Sequence, residues 1–84
     1  MIFIIFTAEG LTELASQGID EGAVLWLNPS LLNSPTATEL HDNGITLHAL
    51  PDEIALIKEK TVSTALTHVE QHSPKGKEIF VEYL

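Results

Sequence analysis

The chain has 84 residues, 44% of them apolar, with no cysteine or arginine and a formal charge of −8. These figures exclude disulfides, thiolate metal sites and thiol catalysis. They also argue against binding nucleic acid or an anionic membrane, both of which draw on clustered cations. What remains is one small acidic α/β domain over residues 1–84, with a core that buries only about 60% of the unfolded surface.

The opening run Met1-Ile2-Phe3-Ile4-Ile5-Phe6 lacks the basic start and the length of a signal peptide, and it meets an acid at Glu9. Its unbroken β-branched and aromatic character over residues 2–6 predicts a strand covered on both faces. Leu11, Leu14 and Ala15 then recur at helical spacing, and Gly18 followed by Ile19 fits a helix stop, so residues 9–17 are expected to be helical. Asp20-Glu21-Gly22 makes a turn into a second unbroken apolar run, residues 23–27, which Asn28-Pro29 ends.

Ser34-Pro35 suits a helix cap and first position, Thr36 and Glu39 have capping-box spacing, and Asn43-Gly44 suits a stop. Residues 35–42 are therefore read as either a two-turn helix or a loop. Residues 45–50 alternate, with Ile45, Leu47 and Ala49 against Thr46 and His48, as in a strand with one wetter face near a sheet edge.

From Pro51-Asp52-Glu53 a longer helical stripe runs through Ile54, Ile57, Val62, Ala65, Leu66 and Val69 to a stop at Ser73-Pro74. Within it Thr61-Val62-Ser63-Thr64 has poor helix propensity, which leaves a strand over residues 61–69 as the alternative. Ile79-Phe80-Val81 and Tyr83-Leu84 mark a last strand over residues 77–84.

Strands alternating with helices predict a four-stranded, mostly parallel sheet in β-α-β-(α)-β-α-β order with helices on its faces. If residues 35–42 form a loop, the order becomes that of a ferredoxin-like α+β fold, in which the second and third strands are antiparallel.

In a wound parallel sheet, ligands bind beyond the carboxyl ends of the strands. The residues there are Thr7 and Glu9, then Asn28 and Ser30, then Asp52 and Glu53. Glu9, Asn28 and Asp52 could converge on a cation or an amine-bearing ligand. Local chemistry accounts for the same residue types: Thr7 and Asp52 as helix caps, Glu9 and Glu53 as first-turn acids, Asn28 as a strand terminator.

His68 and His72 lie four apart on one helix face, a spacing that can supply two metal ligands. His68-Val69-Glu70-Gln71-His72 is not the HExxH motif, no third ligand is identifiable, and a favourable interaction with the helix's carbonyl end accounts for both residues. His41 and His48 have no evident partner. No nucleotide-binding loop or nucleophile elbow is present, and no cofactor is implied.

The charge is uneven. Residues 1–57 hold eight acids and no lysine, while four lysines balance four glutamates from Lys58 onward. Solubility alone explains such a surface, and docking of a basic protein is a further use for it. With few nucleophilic or electrophilic groups, the expectation is a non-enzymatic protein-interaction or regulatory module of the cytoplasm, with a protein partner or a second copy in a homodimer. Its final strand is the edge to watch: the apolar side chains there serve either pairing or the chain's own core, with Glu78 and Glu82 as edge protection. The alternative is a small-molecule or cation-binding domain, or an enzyme, working at the carboxyl ends of the strands.

Overall fold

Four short parallel strands carry the architecture in the computed structural model, which describes residues 1–55 and 57–82. In chain order these are β1 (Ile2–Ile5), α1 (Ala8–Gln17), β2 (Val24–Leu27), a 3-10 turn (Pro29–Asn33), α2 (Pro35–Asp42), β3 (Thr46–Ala49), α3 (Glu59–Gln71) and β4 (Ile79–Val81). The sheet order is β3-β2-β1-β4, and every neighbouring pair is parallel. The fold is therefore α/β. The ferredoxin-like alternative is not formed, because β2 and β3 pair in the same sense.

The two unbroken apolar runs became the two inner strands. Side chains alternate across a strand, so Ile5, Leu25 and Leu27 join α1 and α2 in a core on one face, while Ile2, Ile4 and Trp26 join Val62, Ala65 and Val69 of α3 on the other. The chain steps from β1 to β2 to β3 in one direction and then returns past both inner strands to β4. Crossovers that keep one hand must change face when the direction reverses, and α3 accordingly lies on the face opposite α1 and α2. The point of reversal is between β1 and β4.

Local signals explain the helix ends. Thr7 caps α1, its Oγ1 accepting from the Gly10 N–H at 3.0 Å. At the other end Gly18, at φ 86°, takes a conformation that side chains disfavour, and its N–H donates to the Ala15 carbonyl at 3.3 Å. Residues 35–42 are helical, capped by Ser34 accepting from the Ala37 N–H at 3.2 Å; the capping-box spacing of Thr36 and Glu39 is not the cap.

The helix expected to open at Pro51-Asp52-Glu53 instead begins at Glu59. Thr61 organises that start, its Oγ1 accepting from the Lys58 N–H at 2.9 Å. Residues 61–69 are helical throughout, so neither the strand alternative nor the poor local propensity prevails: Val62, Ala65 and Val69 are buried on the sheet, and tertiary packing overrides propensity. In the same way Asp52 caps no helix and Glu53 is not in a first turn. The last strand is shorter than expected, and its predicted end at residues 83–84 lies outside the described residues. Among the described residues, no helix is long and apolar enough to cross a membrane.

Candidate functional site

The loops after β1, β2 and β3 meet at the carboxyl edge of the sheet. Asn28 stands at their junction, 1% exposed. Its Nδ2 donates to the Phe6 carbonyl at 2.7 Å and to the Ile54 carbonyl at 2.9 Å, and its Oδ1 accepts from the Ile54 N–H at 2.8 Å. All three bonds from this one amide go to backbone, so it ties the ends of β1 and β2 to the segment after β3. That clamp explains why α3 starts late: Ile54 cannot enter a helix while its N–H and carbonyl are both bonded to Asn28.

Beside it, Glu53 accepts from the Ser30 N–H and the Ser30 hydroxyl, each at 2.9 Å, and so covers the start of the 3-10 turn. Thus Asn28, Ser30 and Glu53 gather at this edge and bind the chain to itself. Glu9 and Asp52 are exposed on the surface around them. A groove of about 430 Å³ on the α3 side is lined by Asp52, Glu53, Ile54 and Lys58, but not by Glu9 or Asn28.

Thr7 belongs to a second cluster, at the reversal between β1 and β4. The Glu82 carboxylate reaches back from just after β4, accepting from the Phe6 N–H at 2.7 Å, the Thr7 N–H at 2.9 Å and the Thr7 hydroxyl. A negative charge here faces the first turn of α1, where the helix dipole and free N–H groups favour it. Gly10 makes room for it: a Cβ at that position would stand 2.5 Å from the carboxylate carbon. The crevice where a wound sheet offers a ligand position is thus filled by the chain's own carboxylate. Sequence reasoning placed Glu82 on the sheet edge; its partners lie 75 and 76 residues away, and nothing local signals them.

The histidines form a third group. His68 and His72 stack with ring centroids 4.2 Å apart, and His72 Nδ1 lies 2.9 Å from the His68 carbonyl. Both flank Trp26, at 5.4 and 6.2 Å, and His48 of β3 covers the same indole at 4.7 Å. Three of the four histidines therefore surround one tryptophan, whose buried Nε1–H has no hydrogen-bond partner among the described residues. His41 is exposed in the last turn of α2, on the opposite side of the sheet. No group of three or more metal-ligating side chains is arranged to hold an ion among the described residues.

Comparison with protein-family models, with curated proteins and with solved structures found no match for this chain.

Proposed function

We propose that the chain is a non-enzymatic interaction module that pairs with a second copy of itself along the outer edge of β4. The observation that carries this reading is Phe80, a large apolar side chain 45% exposed on an edge strand. It stacks on Phe3 at 5.6 Å, and beside them Met1 is 58% exposed. An unpaired edge is a template for another strand.

The backbone register supports the same reading. Ile2 N–H donates to the Glu78 carbonyl and Glu82 N–H to the Ile4 carbonyl, so residues 78, 80 and 82 turn their backbone groups toward β1. Those of Ile79 and Val81 point outward. Antiparallel pairing about a two-fold axis at Phe80 would bond Ile79 of one copy to Val81 of the other and bring the two Phe80 rings side by side. That register also sets Glu78 opposite Glu82, a repulsive pair if both carboxylates stood at the edge. Glu82 does not stand there; its carboxylate is turned toward α1.

Sedimentation velocity over a range of concentrations tests the reading. The parent chain is expected to shift from monomer toward dimer as concentration rises. Phe80→Lys removes the apolar contact, and Val81→Pro removes an outward N–H without touching the ladder to β1. Both are expected to stay monomeric while keeping the parent's circular dichroism. A parent chain that is monomeric at millimolar concentration, or variants that dimerise as it does, would overturn the proposal.

The alternative, a ligand-binding domain at the carboxyl edge, is supported by the 430 Å³ groove with its Asp52, Glu53 and Lys58. It has less behind it, because Asn28 and Glu53 spend their polar atoms on the chain's own backbone and Ser30.

A further inference from the structure

The cluster around Trp26 is independent of the β4 edge. We propose that His68 and His72 chelate a divalent first-row transition-metal ion through their Nε2 atoms, with Trp26 beside them. The spacing of four on one helix provides the first element, since it sets two imidazoles on the same face. The rings are already together, stacked at 4.2 Å, where the shared pull of a helix terminus would let each sit apart from the other.

The second element is the hydrogen bond at His72. A carbonyl oxygen can only accept, so the 2.9 Å contact with the His68 carbonyl requires the proton on His72 Nδ1. In the neutral ring this leaves the lone pair on Nε2. An imidazole that donates one nitrogen to a backbone carbonyl and offers the other is the arrangement by which proteins orient a metal-binding histidine. The third element is access, because His72 is exposed and His68 half-buried at the end of α3. Stacked rings hold their in-plane lone pairs side by side. Chelation therefore requires the His68 ring to turn until both Nε2 atoms stand at the roughly 2.0–2.1 Å of metal–imidazole bonds, with the His72 bond to the His68 carbonyl kept.

No third ligand converges on the pair among the described residues, so water completes the coordination shell. Such a site does not select by cavity shape. It follows the intrinsic order of divalent ions, with Cu²⁺ bound more tightly than Ni²⁺ or Zn²⁺. His48 lies on the same indole, with ring centroids 4.7 Å apart, as a packing partner.

Trp26 is the sole tryptophan of the chain, so its fluorescence reports on this place alone. Titrating the full chain with CuCl₂ is expected to quench that fluorescence saturably at one ion per chain, with reversal by EDTA. NiCl₂ should require more metal. His68→Gln with His72→Gln is expected to raise the Cu²⁺ midpoint about tenfold or more, as loss of the chelate demands. His41→Gln, on the far side of the sheet, should leave the midpoint unchanged. Circular dichroism of the variants and isothermal titration of the His72→Gln single variant separate loss of ligand from loss of fold. A double variant quenched like the parent, or a parent that shows no saturable response, would overturn the proposal.

Discussion

Asn28→Ala is expected to lower the stability of the folded chain by about 4–6 kcal/mol. The estimate comes from three lost hydrogen bonds at about 1 kcal/mol each, plus about 1–3 kcal/mol for buried backbone groups left without a partner. Asn28 is fully buried, and the Phe6 carbonyl and both polar atoms of Ile54 depend on it. A chain of this length holds about 4–12 kcal/mol in all, so the loss threatens folding itself. In a domain of this size each kcal/mol moves the melting temperature by about 4–8 °C.

Asn28→Asp should be no milder. A carboxylate keeps the bond from the Ile54 N–H but turns an oxygen toward two carbonyls that need a donor. Thermal and urea unfolding measure both effects, and faster amide exchange at Ile54 would locate them. A loss below about 1 kcal/mol for Asn28→Ala would show that the clamp does not hold the three segments together.

Glu82→Ala is expected to cost about 2–3 kcal/mol, because two backbone N–H groups and the Thr7 hydroxyl lose a charged acceptor in a partly buried place. Gly10→Ala provides the sharper test. In the parent chain the added methyl group would stand 2.5–2.8 Å from the carboxylate atoms and push the carboxylate out. Gly10→Ala alone should therefore destabilise. With Glu82→Ala already present the obstacle is gone, and the same change should stabilise by up to about 1 kcal/mol through better helix propensity. The sign of one substitution thus depends on a residue after the last strand. A double-mutant cycle by urea unfolding reads that coupling directly. Equal effects of Gly10→Ala in the two backgrounds would mean that the carboxylate does not occupy the α1 terminus.

These two contacts also mark the limit of what residue patterns convey. Residues 2–5 and 24–27 were legible as inner strands because a chain that must be dry on both faces has to be apolar at every position. The caps at Thr7 and Ser34 were legible too, since a cap and the N–H it satisfies lie three residues apart. The start of α3 was not. The apolar stripe runs on through Ile54 and Ile57, and only the bonds from Asn28, 26 residues earlier, take Ile54 out of the helix.

The candidate site divides in the same way. Thr7, Asn28, Ser30 and Glu53 could be assigned to the carboxyl edge from strand order alone, and they lie there. What each side chain does depends on which loops the sheet brings face to face. His68 and His72 could be paired by their spacing, but His48 joins them only because β3 lies beside β2, which places it next to Trp26.

Apolar runs, helical period and capping residues determined by themselves that this chain alternates strands and helices, because these are properties of neighbours along the backbone. They left open whether β2 and β3 run parallel, which the tertiary structure decided. The position of β4 beside β1, and with it the Glu82 carboxylate at the α1 terminus and the exposed Phe80, was decided by tertiary structure alone. Hydrogen bonds between residues about 75 positions apart have no local signature, and they form only where the crossover through α3 returns the chain to the opposite edge.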